Sequence, residues 1–354
     1  MPPIHVISSK AARYMAYSTK CGVWPVEDLN AQVLQGFKIR AKRIVKERSY
    51  YICSTDDGYR VIRKSTDSHA HIMFHHALKE QLYERGFTGT DRYYPAADGT
   101  PFFEYADHVY VMTGLFKQRE ADLDNLPDLE KVMRQVAVFH NTARMLEFEQ
   151  PFYAGENALD SYRKQTVEID VIRKQIGHKK RLSDFDVVFL KNYDSYRHLM
   201  RESMQILEHT KLFQLKSDAE AQNAICHNLL KEEHLLIEGD HVNLIGFSQA
   251  AVDYHVFDLC SVIQRYAKAR NKTKIDLNHV LELYDKHRAL TKDDVEILCG
   301  LLKYPSKFVK ICRQYYSKKR TWTPSAINNR LEGIVASKAE YDRFVNGLPP
   351  NTMP

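Results

Sequence analysis

The sequence predicts an α+β protein with two lobes, of which the second is larger and mainly helical. Short runs rich in β-branched and aromatic residues dominate before about residue 115, and helical periodicity dominates after it. One β-rich island, residues 224–252, interrupts the helical part. We therefore predict an N-terminal extension over 1–25, a small α+β lobe over 26–114, and a helical lobe over 115–354 with an embedded hairpin.

Composition places the chain among ordinary globular proteins. Of its 354 residues, 44% are apolar and 27% are charged, and this length suffices for two packed lobes. The formal net charge of +6 is small beside 51 basic and 45 acidic residues. Because no basic stripe is interleaved with aromatic residues, we do not expect nucleic acid as a partner.

Cysteine usage and apolar runs predict a cellular compartment. The six cysteines are scattered singly without C-x-x-C pairs, which favours reduced thiols and cytosolic synthesis over disulfides or a zinc site. The N-terminus has no apolar run of signal-peptide length, and no stretch approaches about 18 apolar residues. We therefore expect no membrane-spanning helix.

The small lobe is predicted to contain several strands and one helix. Asp56-Asp57-Gly58 is a predicted hairpin turn, because Asp and Gly tolerate positive φ. A helix is predicted at about 68–85 and is ended by Gly86. A second hairpin is predicted from Tyr93-Tyr94 to Phe102-Phe103, with its turn at Ala97-Asp98-Gly99. The predicted strands span 37–44, 49–54, 59–64 and 109–112.

The larger lobe is predicted from helical periodicity. Pro127 opens its first helix at a permitted first-turn position, and Leu129, Val132 and Val136 begin one apolar face. Further helices are predicted at about 157–177, 184–209, 256–271, 276–287, 292–303, 306–317 and 324–343.

The informative motif lies in the island and just after it, in Ile225–Ile237, Val242–Phe247 and Phe257-Asp258-Leu259. Its loop length and apolar positions resemble those of small-molecule kinases of the choline-kinase and aminoglycoside-phosphotransferase type. The resemblance implies a two-lobed protein-kinase-like fold. It places His227 on the loop histidine and Asp258 on the aspartate that opens the next helix. Both are expected to be buried and to brace the loop from inside.

Three catalytic positions of that class are altered in this chain. The resemblance puts the catalytic base at Leu229, the metal-binding asparagine at His234, and the second metal-binding aspartate at Gly246. Leucine cannot accept a proton, glycine offers no side-chain oxygen, and imidazole is a poor ligand for Mg²⁺. We therefore expect no phosphotransferase activity, and neither a cofactor nor a metal at these positions.

Cations that could grip phosphate remain in the small lobe. The turn between the first two strands, Val45–Tyr50, has no glycine to let backbone N–H groups approach a phosphate. Arg63 and Lys64 are possible ligand-binding residues on the next strand. Their side chains point to opposite faces of the strand, so one of the two could face a cleft, and the sequence does not decide which. The alternative is that they lie on a solvent-exposed strand edge. Glu80 is a possible partner for such a cation or a surface residue.

The C-terminal third is similar to that of CotS-type spore-coat proteins. The similar segments are Tyr304–Tyr316, Lys318–Trp322 and a closing helix through Leu331 and Phe344; Leu82–Phe87 and Phe139-His140 also resemble this family. The resemblance implies synthesis in the mother-cell cytoplasm, deposition in the bacterial endospore coat, and other coat proteins as partners. Many members keep a His-x-Asp-Tyr loop, so Leu229 marks this chain as a divergent, pseudokinase-like one.

Alternatives to a non-catalytic coat protein remain at this point. A phosphotransferase with relocated groups would use some of Glu232, Glu233, Asp240 and Asp253. A nucleotide-binding module without transfer would use Arg63 or Lys64. In the histidine-rich segment 69–76, His71 and His75 could share a metal with Asp67, or form a polar helix face.

Overall fold

The computed structural model describes residues 29–47, 49–155, 157–269, 274–317 and 323–347. The predicted N-terminal extension 1–25 and the basic stretch Lys318–Trp322 lie outside the described residues. The chain divides into two compact units. The first comprises Met1–Tyr153 with Gln222–Asp253, and the second comprises Ala154–Ala221 with Tyr254–Pro354.

An antiparallel sheet forms a large part of the first unit. Its strands are β1 (Arg43–Glu47), β2 (Tyr50–Thr55), β3 (Gly58–Ser65), β4 (Tyr93–Tyr94), β5 (Phe103–Tyr105) and β6 (His108–Gly114). Their order across the sheet is β1-β2-β3-β6-β4, and β5 also pairs with β6. Thr55 pairs with Gly58, whose φ is +106°, so the turn predicted at Asp56-Asp57-Gly58 is confirmed.

Two predictions for the small lobe are wrong. The segment 37–44 is not one strand, because a helix, α1 (Ala31–Gly36), ends at Phe37 and β1 begins only at Arg43. The segments around 93–94 and 102–103 do not pair with each other, since β4 and β5 both pair with β6. The hairpin turns instead at Ala106-Asp107, where both residues take the positive φ that such a two-residue turn requires.

Two helices complete the described framework around this sheet. Helix α2 (His69–Glu84) begins at Ser68, whose side chain accepts a hydrogen bond from the backbone N–H of His71. It ends before Gly86, whose φ of +86° confirms the predicted stop. Helix α3 (Leu126–Thr142) has Pro127 in its first turn, as predicted.

The β-rich island contributes short strands to the first unit. Strands β9 (Leu235–Glu238) and β10 (His241–Leu244) form a hairpin, and β7 (Arg119–Glu120) pairs with β9. Strands β8 (Ile225–Cys226) and β11 (Ala251–Val252) pair with each other.

The described part of the second unit is helical. Its helices are α4 (Ala158–Gly177), α5 (Asp184–Glu208), α6 (Leu212–Ala221), α7 (Val256–Ala269), α8 (Leu277–Asp285), α9 (Lys292–Lys303), α10 (Ser306–Tyr316), α11 (Pro324–Ala336) and α12 (Lys338–Val345). The helix predicted over 324–343 is therefore divided at Ser337. One apolar core joins α4, α5, α10 and α11 through residues such as Ile169, Phe189 and Phe308.

The structure bears on two expectations from composition. The cysteines at 53, 226, 260, 299 and 312 form no disulfide among the described residues, and most are buried, whereas Cys21 lies outside the described residues. Burial raises the pKa of the Cys53 thiol to about 12, so it stays protonated. Among the described residues, no helix combines the length and apolar character that crossing a bilayer requires.

Candidate functional site

The segment that carries the kinase resemblance forms a tight loop between β8 and β9. Asn228 takes a positive φ of +58°, which an asparagine tolerates better than most side chains. A single 3-10 turn over Glu232–His234 then leads into β9. The backbone N–H of Ile245 donates to the carbonyl of His234 at 3.1 Å, which ties this turn to the end of β10.

His227 lies at the centre of the loop. It is fully buried, and its Nε2 bonds to the carbonyl oxygen of Ile245 at 3.0 Å. Because a carbonyl oxygen only accepts, Nε2 carries a proton. The imidazole ring also lies 4.7 Å from the ring of Phe247, centre to centre. Asp258, the other residue expected to be a brace, is fully buried in the first turn of α7 in the second unit.

Leu229, His234 and Gly246 occupy the three positions where the resemblance predicts altered catalytic groups. Leu229 is half-buried, and its carbonyl oxygen accepts a hydrogen bond from Nδ1 of His234 at 2.5 Å. His234 is 1% exposed, and burial lowers its pKa, which keeps the imidazole neutral. Gly246 is buried with φ +81°. None of the three side chains offers the hard oxygen ligand that Mg²⁺ prefers.

The connection between β1 and β2 is short and has no glycine. The two strands remain paired as far as Glu47 and Tyr50, so two residues link them. Phosphate-binding loops need several successive backbone N–H groups that point inward, and they commonly use glycine to allow it. This connection offers neither the length nor the glycine.

The structure separates the two adjacent cations of β3. Arg63 pairs with Val111 of β6, and directly opposed residues point to the same face of an antiparallel sheet. Val111 packs with Ile72 of α2, so Arg63 lies on the face that α2 covers. Lys64 lies on the opposite face, with its Nζ 5.9 Å from the centre of the Tyr110 ring.

The group that α2 presents toward Arg63 is a histidine. His75 is 1% exposed, and its Nε2 has no hydrogen-bond partner among the described residues. Burial lowers its pKa to about 3, with smaller contributions from the charges of Lys79, His71 and Arg63. The imidazole is therefore neutral. Active protein kinases instead place a glutamate on this helix, in an ion pair with the strand lysine.

Lys79 follows His75 by one turn of α2 and is also 1% exposed. Its Nζ donates to the backbone carbonyl of Asp91 at 2.8 Å and lies 3.1 Å from Oδ1 of the same residue. The Tyr93 ring centre lies 4.0 Å away. Sequence reasoning missed this buried pair. The available signal was the position of Lys79 next to Leu78, one turn before Leu82, on the apolar face.

Glu80 is not the partner of Arg63. Its Oε1 lies 2.9 Å from Nε of Arg92, and its other carboxylate oxygen contacts the same guanidinium. Nδ1 of His76 lies 3.8 Å from Glu80 as well. Glu80 therefore belongs to a local ion pair at the edge of α2.

The metal hypothesis for α2 finds no support in the described residues. The rings of His71 and His75 are nearly parallel with centres 5.8 Å apart, and His71 stacks on Phe152 at 3.8 Å. Asp67 bonds to the hydroxyl of Ser65 at 3.1 Å. These three predicted ligands do not come together as a group that could hold an ion. The polar-face alternative is also wrong for His75, because this residue is buried.

Of the four candidate carboxylates, Glu232 and Glu233 lie near Glu120, which was not itself a candidate. Burial raises the pKa of Glu120, and the negative charges of Glu233 and Glu232 raise it further. Asp240 instead forms an exposed ion pair with a lysine of α3. Asp253 is 6% exposed, and its backbone N–H pairs with the segment before β8.

The loop, the strand cation and the helix that faces it define a kinase-like fold of the small-molecule phosphotransferase class. An aminoglycoside phosphotransferase from Alicyclobacillus acidocaldarius is similar with a TM-score of 0.80 and 14% identity, over 92% of this chain and 96% of its own. Spectinomycin phosphotransferase APH(9)-Ia, in complex with ADP and its antibiotic, has a TM-score of 0.61 and 12% identity over 90% and 97%. The amicoumacin kinase hAmiN has a TM-score of 0.54 and 11% identity over 88% and 90%. At these identities the similarity shows the fold alone, and it confirms the predicted class.

The chain belongs to the family described as "Spore coat putative kinase YutH", whose model matches residues 30–348. The predicted membership in a kinase-like, CotS-type spore-coat family is thereby confirmed. No curated protein matches the chain.

Proposed function

We propose that the protein is a non-catalytic, kinase-fold component of the bacterial endospore coat. In this proposal it is made in the mother-cell cytoplasm and held in the coat by contacts with other coat proteins. Family membership supports the location. The main support for the lack of catalysis is the identity of three side chains in the loop, Leu229, His234 and Gly246.

Phosphoryl transfer depends on positioning and on neutralising charge with bound metal. Leu229 cannot accept the proton of an attacking hydroxyl. The neutral, buried imidazole of His234 already bonds to the carbonyl of Leu229, so its Nδ1 is committed to the loop backbone. Gly246 adds no charge. Together the three positions support a loop that keeps its shape without holding Mg²⁺.

The small lobe gives independent support. The two-residue connection between β1 and β2 offers no backbone cradle for phosphate. Arg63 faces a neutral imidazole on α2 where an active kinase has a carboxylate. In addition, Tyr50 is buried with Ile52 and Val61 on the Arg63 face of the sheet. These features are unlike a site that is organised around ATP.

The test is a thermal-shift and isothermal-titration series with ATP and Mg²⁺. We expect no change in Tm for the wild-type chain at millimolar ATP and Mg²⁺. A ligand at about 100 times its Kd would stabilise the fold by about 2.7 kcal/mol, which is easily measured. The matched variant combines Leu229→Asp, His234→Asn and Gly246→Asp, and should gain stabilisation that EDTA removes. Clear EDTA-sensitive stabilisation of the wild type would refute the proposal.

A second candidate function is a phosphotransferase with relocated carboxylates. The gathering of Glu232 and Glu233 near Glu120 favours it, because adjacent carboxylates are ligands that Mg²⁺ accepts. It predicts Mg²⁺-dependent stabilisation by ATP that is lost in Glu232→Gln and Glu233→Gln but kept in Asp240→Asn. Stabilisation by ATP that needs no Mg²⁺ and is lost in Arg63→Gln would instead indicate a nucleotide-binding module.

A further inference from the structure

A cavity of about 170 Å³ lies within the second unit, where four parts of the helical framework meet. Its wall comes from α5, the C-terminal end of α7, the junction of α9 with α10, and the junction of α11 with α12. Engineered cavities of about 150 Å³ can hold a benzene ring, so this one has room for a single ring. Along α7, its lining residues lie six to ten residues, or about 9 to 15 Å, beyond Asp258.

Aromatic rings form one side of the cavity. Tyr196 and Phe308 are stacked with ring centres 3.8 Å apart and planes within 8°. Tyr341 donates its hydroxyl to the backbone carbonyl of Leu302 at 3.0 Å, and Tyr304 donates to that of Tyr162 at 3.3 Å. Because these hydroxyl protons are committed to the backbone, the two tyrosines offer no hydroxyl donor to a ligand.

Lysines form the other side of the cavity. Four of them line it, at positions 268, 303, 307 and 338, against two carboxylates at 340 and 342. Lys303 is paired with Glu202, and Lys338 is paired with Asp342 at 2.6 Å. Lys268 and Lys307 form no ion pair with any carboxylate among the described residues. Among the described residues, Lys268 and Lys307 are therefore the two lysines of the lining that form no ion pair.

The environment of Lys307 supports an unbalanced positive site. Its side chain remains accessible to solvent, yet surrounding protein displaces enough water to lower its pKa. The positive charges of Lys268 and Arg265 lower the pKa further. Its Nζ makes a long contact of 3.4 Å with the carbonyl of Gln264. An anion at this position would relieve the repulsion.

The start of α10 adds to the positive potential. This helix has eleven residues, and its first two, Ser306 and Lys307, line the cavity. No side chain caps its N-terminus. Unsatisfied N–H groups and the helix dipole favour negative charge at such an end.

We propose that this cavity binds a small anion with a ring-shaped apolar body. The ring would lie against Tyr196, Phe308 and Tyr341, and carboxylate or phosphate oxygens would meet Lys268 and Lys307. Charge-assisted hydrogen bonds from two ammonium groups supply specificity for the oxyanion, and the aromatic wall supplies specificity for the ring. This inference goes beyond the proposed function, since none of the loop positions on which that proposal rests lines the cavity.

The experiment is isothermal titration of the full chain with phenyl phosphate, benzoate, inorganic phosphate and the neutral ring compound benzyl alcohol. We expect one of the two ring anions to bind with a Kd of about 1 mM or tighter and to weaken as salt rises. Whichever of phenyl phosphate and benzoate has the lower Kd shows whether the site prefers a phosphate or a carboxylate. Inorganic phosphate and benzyl alcohol should each bind at least about tenfold more weakly, because each lacks one half of the recognised chemistry.

Single substitutions test whether the ring anion binds in this cavity. Lys268→Gln and Lys307→Gln should each weaken the ring anion about tenfold, whereas Lys310→Gln, an exposed lysine one turn along α10, should not. Ala267→Trp, which fills the cavity, should abolish binding of the ring, with circular dichroism as the check on folding. Three results would overturn the proposal. They are unchanged affinity in both lysine variants, equal affinity for benzyl alcohol and the ring anions, and no binding of either ring anion at about 10 mM, which is ten times the expected Kd.

Discussion

A buried lysine of the first unit and two cavity lysines of the second unit differ in how their positive charge is balanced. In the first unit, the buried Lys79 is matched at once by Asp91, and its ammonium also lies over the Tyr93 ring. In the second unit, Lys268 and Lys307 line a cavity without a carboxylate partner among the described residues. The first arrangement satisfies a charge that folding has removed from water. The second arrangement leaves two ammonium groups available to bind an anion.

This difference separates structural residues from residues that can bind a ligand. Burying an ammonium group without a partner costs several kcal/mol, so a buried lysine must be paired for the fold to be stable. A lysine that keeps contact with solvent needs no partner, and its lack of one imposes a much smaller cost. The predictions below test the contrast through stability, beginning with the largest effect.

Lys79→Met should be strongly destabilising. The substitution leaves Asp91, which is 6% exposed, without its cation, and breaking a buried pair from one side typically costs about 3–5 kcal/mol. Urea unfolding followed by circular dichroism measures the free energy of unfolding. Lys42→Met is the matched control, because Lys42 pairs with Asp56 on the surface, and it should cost less than about 1 kcal/mol. Equal effects of the two substitutions would remove the first half of the comparison.

Asp186→Asn should show that the second unit also pairs its buried charges. Burial raises the pKa of Asp186, but Lys179, Tyr316 and Ser183 donate hydrogen bonds that outweigh this effect and hold the pKa at about 2. The folded-state pKa lies below the ordinary value. The carboxylate therefore contributes stability above about pH 4, and this contribution is lost as pH falls toward 2.

We expect Asp186→Asn to lower the free energy of unfolding at pH 7 by about 2 kcal/mol and to flatten its decline below pH 4. Asp184→Asn, two residues earlier and exposed, is the control and should change stability by less than about 0.5 kcal/mol. Guanidinium unfolding at pH 7 and at pH 3 distinguishes these outcomes. A decline of the same steepness in the Asn variant would show that Asp186 is not the group responsible.

His75 is a buried polar group of the first unit that is not paired in this way, because its Nε2 has no hydrogen-bond partner among the described residues. Its pKa of about 3 lies far below the ordinary 6.5, so the unfolded chain takes up the proton first as pH falls. Stability should therefore decline from about pH 6.5 toward 3 in the wild type, by about 2 kcal/mol at pH 5.

His75→Leu should make that decline shallower, because burial of His234 and His76 still contributes to it. The substitution should be neutral or stabilising at pH 8, since leucine leaves no unsatisfied nitrogen. Urea unfolding at pH 5 and pH 8 measures both effects. His241→Leu, on an exposed strand residue, should keep the pH dependence of the wild type. A large loss of stability in His75→Leu at pH 8 would mean that the imidazole makes a contact on which the fold depends.

Local patterns in the sequence predicted most elements, and the errors have a physical cause. Turn chemistry at Gly58 and Gly86 and the periodicity of the long helices depend on neighbouring residues, so sequence alone located them. Which strand pairs with β6 depends on contacts distant in sequence. The turn at 97–99 was therefore misassigned to a hairpin, whereas the turn at Ala106-Asp107 was overlooked.

The candidate site was predictable only in part. The loop positions at which the resemblance predicts altered catalytic groups could be located from sequence because the motif is continuous over about 20 residues. The orientation of Arg63 required the strand register, and the burial of His75 and Lys79 required the packing of α2. The lysine cavity is built from residues between 196 and 342 on separate helices, so no local pattern could have indicated it.

Lys307→Gln should have the smallest effect on stability and the most direct bearing on the comparison. Removing a cation that Lys268 and Arg265 repel should leave the free energy of unfolding within about 0.5 kcal/mol of the wild type, on the stabilising side. The gain should shrink as salt screens the repulsion. Urea unfolding at 50 mM and 500 mM sodium chloride, with Lys310→Gln as the control, measures this. A loss comparable to that of Lys79→Met would mean that Lys307 is a structural residue, since a lysine that is free to bind a ligand should cost the fold nothing when it is removed.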